Sequence, residues 1–356
     1  MLIWIKIQPL AGSFYTIGNT GDILVQRLLQ PGEIESLDHT AIPRLLLPEA
    51  RSLFTARATR LRQLADNQIR GIPVGDTMAG YLRMIAALVD AQAAVIRSLP
   101  AETFALPDAA GIEAAILHHM PPLPVSGQRP PTWRRVFAAL LDELQPLADS
   151  QPQLAAVLTE LRTLDSAQLE GCADAVLAEL TEGVHPLHAP FVAAALQVIW
   201  TMRASQLDVQ RVQPLVTNTL CPVCGSHPVA SVIRIGGQSQ GYRYLQCSCC
   251  ASEWHMVRVK CSCCESNAKI AYQSIEPEAG QPAATEPVNK ANDPYRVARA
   301  ETCDDCKTYR KIFNQEHDYL VEPLADDLAS LALDLLVGEA GYSRASGNPL
   351  LWFNAE

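Results

Sequence analysis

The sequence predicts an α-helical N-terminal domain joined to a small β domain of two ribbon modules with four cysteines each, followed by a C-terminal helix. Three observations predict this architecture. Apolar residues recur every three or four positions from Pro48 to about Gln213, which is the period of a helix with one buried face. Ten of the eleven cysteines fall between Cys221 and Cys306, among short strand-like runs. A Leu-rich helical pattern returns after Pro323.

In chain order, residues 1–40 read as an N-terminal extension, because Gly12, Gly18, Gly21 and Gly32 interrupt any helical period. Residues 41–213 form the helical domain. Tyr81, Met84, Ile85, Leu88 and Val95 share one helix face, and Trp133, Val136, Phe137, Leu140, Leu141, Leu144 and Leu147 share another. Prolines 121, 122, 124, 130 and 131 separate these helices, with Pro131 suited to a first turn. The segment from Pro186 to Leu207 is apolar nearly all round, broken by Gln197, and is assigned to the middle of the bundle. Residues 214–320 form the two ribbon modules, with strands expected at Val229–Ile235, Tyr242–Gln246 and Trp254–Val259 and a loop at Glu276–Asp293. Residues 321–356 form the C-terminal helix and tail. Asp326 and Asp327 stand in its first turn, where the helix dipole favours negative charge, and its Leu face needs a cover.

Composition excludes several classes. With 356 residues, 48% of them hydrophobic, the chain can bury a substantial core and is not dominated by disorder. A net charge of −10 argues against duplex binding, and the stretch from 214 to 320 balances 11 basic against 11 acidic residues. No run of 18 apolar residues occurs, so membrane insertion is not expected. The N-terminal residues MLIWIKIQPLAGSFY show neither a basic region before an apolar stretch nor twin arginines, so a cytoplasmic location is expected. In a reducing compartment, paired cysteines are more often metal ligands or redox centres than structural disulfides.

Four CxxC pairs stand in order: Cys221/Cys224, Cys247/Cys250, Cys261/Cys264 and Cys303/Cys306. A turn of this length brings both sulfurs to one side, and two such knuckles complete a tetrahedron around one ion. The chain between Cys224 and Cys247 holds two strand-like runs about Gly236-Gly237, a hairpin that returns the second pair to the first. Sequential pairing then gives one site of Cys221, Cys224, Cys247 and Cys250 and another of Cys261, Cys264, Cys303 and Cys306. Interleaving the first pair with the third is the alternative. Four thiolates suit zinc or a single iron, and either cage leaves no open position for a substrate. Cys249 and Cys263 are read as inert loop positions, Cys172 as a core residue, His227 and His255 as non-ligands, and Trp254 as packing between the two ribbons. No phosphate-binding loop, nucleophile elbow or HExxH is present, and no pair of carboxylates is nominated for acid–base work, so no catalytic residue is assigned.

The stretches CPVCGSHPV (221–229), GYRYLQCSCCASEWHMVRVKCSCCES (241–266), ETCDDCKTYRKI (301–312) and ADDLASLALD (325–334) resemble the formate dehydrogenase accessory protein family, FdhE. A weaker likeness begins near Ile42, in IPRLLLPEARSLFTARATRLRQLADN. The resemblance implies a helical domain followed by two tandem rubredoxin-like or zinc-ribbon modules, and two bound metal ions with iron favoured and zinc possible. It further implies a non-catalytic maturation factor whose partner is the catalytic subunit of a formate dehydrogenase. Only the eight outer cysteines match the family positions residue by residue; residues 1–40, Cys249 and Cys263 depart from the pattern. The competing classes are a rubredoxin-like one-electron carrier and a zinc-ribbon nucleic-acid adaptor.

Overall fold

A computed structural model describes residues 42–68, 71–180, 182–275 and 293–351. The expected N-terminal extension and nearly all of the expected Glu276–Asp293 loop therefore lie outside the described residues. Among the described residues, seven α-helices precede the cysteine-bearing region: α1 (Ala50–Ala65), α2 (Asp76–Ser98), α3 (Ala109–Leu117), α4 (Trp133–Ala148), α5 (Pro152–Thr163), α6 (Ser166–Leu177) and α7 (Ala189–Ala204). The predicted faces are the packed ones. Trp133, Val136, Leu140, Leu141 and Leu144 of α4 are buried, and α4 packs on both α2 and α7. Pro131 lies ahead of α4, in a turn closed by the Trp133 amide on the Pro130 carbonyl at 3.1 Å. Asp165 starts α6 with a capping box, its side chain accepting from the Ala167 and Gln168 amides while the Gln168 side chain accepts from the Asp165 amide. Helix α7 is buried on every side from Ala189 to Thr201, as its largely apolar sequence requires, and Cys172 of α6 is a core residue. By length and composition α2 could cross a membrane, but 61% of its apolar window is buried in the bundle.

The strands are β1 (Leu45–Leu46), β2 (Pro228–Ile233), β3 (Arg243–Cys247), β4 (Glu253–His255), β5 (Ile270–Gln273), β6 (Ala298–Cys303), β7 (Thr308–Asn314) and β8 (Ser343–Arg344). They form one sheet in the order β1-β4-β3-β2-β7-β6-β5, with β8 on β7. The expected hairpin at Gly236-Gly237 joins β2 to antiparallel β3. The two ribbons are not separate: β2 and β7 pair in parallel, Ser231 opposite Ile312 and Val232 opposite Phe313, which fuses both modules into one sheet. Trp254 corrects its expected position. It sits on β4, opposite Leu45 of β1, and donates its indole N–H to the Asn218 carbonyl at 2.7 Å, on the flank away from the second ribbon.

The C-terminal pattern is two short helices, α8 (Pro323–Ala329) and α9 (Leu331–Glu339), where the sequence suggests one. Helix α8 wedges between α1 and strands β2 and β7, and all seven of its residues are buried. Asp326 and Asp327 therefore do more than complement a dipole. Asp326 pairs with Arg60 of α1, and Asp327 with Lys311 of β7 and Arg344 of β8, so the wedge is tied to the helices on one side and to the sheet on the other.

Candidate metal centres

Each of the four knuckles is built the same way. The amide of the first cysteine donates to the backbone carbonyl five residues on: Cys221 to Ser226 at 2.9 Å, Cys247 to Ser252 at 2.9 Å and Cys261 to Ser266 at 2.8 Å. In the fourth, Cys303 stands opposite Thr308 in the β6–β7 register. The residue after the second cysteine turns the chain through the left-handed region in every case: Gly225 at φ 81°, Ala251 at 57°, Glu265 at 61° and Lys307 at 54°. Only Gly225 adopts this conformation without side-chain strain. The next residue is always Ser or Thr, and three of the four hydroxyls lie against a ligand sulfur: Ser226 at 3.5 Å from Cys224, Ser252 at 3.3 Å from Cys250 and Thr308 at 3.0 Å from Cys306.

The sulfurs gather as sequential pairing predicts. Cys221, Cys224, Cys247 and Cys250 form one group and Cys261, Cys264, Cys303 and Cys306 the other, all sulfurs of a group within 4.8 Å of one another. Between the paired knuckles, Sγ–Sγ separations of 3.4 and 3.6 Å occur in the first group and of 3.7 and 3.8 Å in the second. A regular tetrahedron with metal–sulfur bonds of about 2.3 Å has edges of about 3.8 Å, so both groups fit one ion. His227 and His255 join neither group. In the buried first group, burial pushes the Cys221 and Cys247 thiols well above the ordinary range. Burial also pushes Cys224 up, but hydrogen bonds from Cys221, Cys247, Cys249 and Cys250 outweigh it and draw that thiol well below. Four neighbouring thiolates can coexist there only around a cation that shares their charge.

Comparison with known proteins decides the family. The model of the FdhE N-terminal region matches residues 42–217, that of the FdhE central domain residues 220–258, and that of the FdhE C-terminal domain residues 259–351. Protein FdhE of Escherichia coli (strain K12) is 39% identical over 323 residues, which is 90% of this chain and 95% of the relative. The chain belongs to the FdhE family. Protein FdhE of Escherichia coli O9:H4 (strain HS) shows the same identity and coverage. The crystal structure of the FdhE protein from Pseudomonas aeruginosa superposes with a TM-score of 0.72 at 39% identity, covering 87% of this chain and 99% of that one.

In this member of the FdhE family the two groups have unequal surroundings. All four cysteines of the first are buried; in the second Cys264 is exposed and Cys306 half-buried. Helical elements grip the first group directly. The Leu123 and Val125 amides donate to the Val223 and Cys224 carbonyls, both at 3.0 Å, so the proline-rich loop lies along the first knuckle. Gln197 of α7 donates to the Ser248 carbonyl in the second knuckle at 2.8 Å, and its own Oε1 accepts from Gln92 of α2 at 3.2 Å. Of the two extra cysteines, Cys249 is buried beside a cavity of about 230 Å³ and Cys263 is exposed. Sequence reasoning missed the hydroxyl contacts and the brace from Gln197. The fourfold C-x-x-C-x-[ST] repeat carried the first signal, and the lone amide within an apolar helix carried the second.

Proposed function

We propose that this chain is an accessory factor for formate dehydrogenase that works in the cytoplasm by contact with the catalytic subunit and carries out no reaction itself. The eight outer cysteines hold two ions, with iron favoured over zinc, and the helical domain is the scaffold on which the metal-clamped knuckles are presented. The observation that carries this reading is the closure of both groups: each supplies all four corners of a tetrahedron from protein sulfur, which leaves no position for a substrate. Membership of the FdhE family supports the link to formate dehydrogenase. Rigid knuckles cost little ordering entropy on docking, which suits reversible contact with an enzyme under assembly. Deleting the gene should abolish or sharply reduce formate dehydrogenase activity while the catalytic subunit is still made, and a tagged catalytic subunit should retain this chain. Full activity in the deletion strain with no complex recovered would reject the reading.

A second reading is favoured by the partial exposure of the second group: a one-electron carrier. Iron bound in such a cage supplies a one-electron couple. The Thr308 hydroxyl lies 3.0 Å from the Cys306 sulfur, which is half-buried, so this corner of the second group stands close to solvent. A reversible visible spectral change coupled to electron delivery to a redox partner would favour this reading over an assembly role.

A further inference from the structure

We infer that the two centres are kinetically unequal: the first is a fixed pin joining helices to sheet, and the second releases its ion to an external thiol or chelator while the first stays filled. This rests on the reading that both groups hold metal. Three independent features of the chain lead to it.

The first concerns access. A competing ligand must reach the ion while a cysteine lets go, and every sulfur of the first group is buried, whereas Cys264 of the second lies open and Cys306 is half-buried. The second concerns what the knuckles are attached to. Opening the first group means pulling Val223 and Cys224 from the loop at Leu123–Val125, and Ser248 from Gln197, whose amide lies in the middle of the fully buried α7. The second group is fastened to its own module and, at the surface, to the C-terminal segment; among the described residues no backbone hydrogen bond joins its knuckles to a helix of the N-terminal bundle. In its fourth knuckle Asp304 pairs with Lys307 at 2.7 Å and accepts from the Tyr342 hydroxyl at 2.8 Å, the Lys307 carbonyl accepts from the Ser343 amide at 2.8 Å, and Asp305 faces Lys269 at 3.8 Å. Its third knuckle reaches the interdomain segment through Glu265, which accepts from the Asn218 amide at 2.7 Å. The third feature is backbone strain. Both second-group knuckles turn at a non-glycine residue, Glu265 and Lys307, whereas only Ala251 does so in the first group, so the second group carries the greater backbone strain. The first group has a glycine at one of its two turns, where a Cβ would meet Pro121 Cγ at 3.3 Å.

The test uses the full chain loaded with two equivalents of zinc and challenged with excess 4-(2-pyridylazo)resorcinol, whose zinc complex is read by absorbance. One equivalent should leave in a fast phase and the other in a phase slower by about tenfold or more. Cys264→Ser should bind one equivalent and lack the fast phase. Gln197→Leu should speed the slow phase several-fold and leave the fast phase unchanged. Release of both equivalents in one phase, or a fast phase that persists in Cys264→Ser, overturns the inference. A chain that takes up no zinc while folded overturns the metal reading itself, which is a distinguishable result.

Discussion

Arg60 grips both oxygens of Asp326, Nε donating to Oδ2 at 2.9 Å and to Oδ1 at 3.2 Å and Nη2 to Oδ1 at 2.5 Å, with both side chains sealed from solvent. This pair fastens α8 to α1. Asp326 also accepts from the Glu322 amide at 2.9 Å, and Arg60 reaches Asp318 at 2.7 Å, so the carboxylates depend on one guanidinium. Removing one partner of a buried pair strands the other charge. Arg60→Met should therefore cost about 3–5 kcal/mol in urea unfolding, and adding Asp326→Leu should recover part of the loss. Equal stability of Arg60→Met and the unaltered chain would contradict the role given to this contact.

A second prediction concerns Thr308, whose hydroxyl lies 3.0 Å from Cys306 Sγ. Thr308→Val keeps the volume and β-branching that β7 requires but removes that bond. Metal affinity at the second centre should fall by about tenfold, with the first unchanged, in a competition titration against a chelator. An unchanged second affinity would mean that the hydroxyl lends the sulfur no support.

Glu170 gives a pH-dependent prediction. Partial burial pushes its carboxyl up, but hydrogen bonds from Trp133 Nε1 at 2.9 Å, from Arg129 at 2.8 Å and from Arg134 outweigh this and hold it below its usual 4.5. Because the folded value is the lower one, the carboxylate stabilises the fold above about pH 4.5, and the contribution fades as pH falls through the depressed value. Glu170→Gln should then cost about 1–2 kcal/mol at pH 7, and the gap from the unaltered chain should narrow as pH drops below 4.5. A gap that stays constant or widens on acidification would be the wrong sign.

The extra cysteines separate ligands from bystanders. The double variant Cys249→Ser/Cys263→Ser should keep both ions, while Cys221→Ser should lose one, in elemental analysis of the purified chains. Loss of an equivalent from the double variant would show that the sulfur groups are assigned wrongly.

How far the sequence reaches depends on the range over which each feature is encoded. Helices α4 and α7 are legible because burial repeats along the helix itself, and the eight outer cysteines because each pair lies within one turn. The parallel pairing of Ser231 with Ile312 joins segments about eighty residues apart in the chain and leaves no local mark, so the modules read as two ribbons where the fold has one sheet. Trp254 reads simply as a buried aromatic, and only the two-residue strand at Leu45–Leu46, too short for any periodicity, shows which flank it covers. Asp326 and Asp327 look like ordinary first-turn acids because their partners, Arg60, Lys311 and Arg344, come from three other elements.

Metal content of the freshly purified full chain, measured by mass spectrometry of the elements together with far-ultraviolet circular dichroism before and after chelation, tests the central claim most directly. Each centre should contribute folding free energy on the order of 10 kcal/mol to the sheet region. Close to two ions per chain, with loss of sheet structure once both are stripped, is the predicted result. A metal content near zero with the sheet still folded would contradict it.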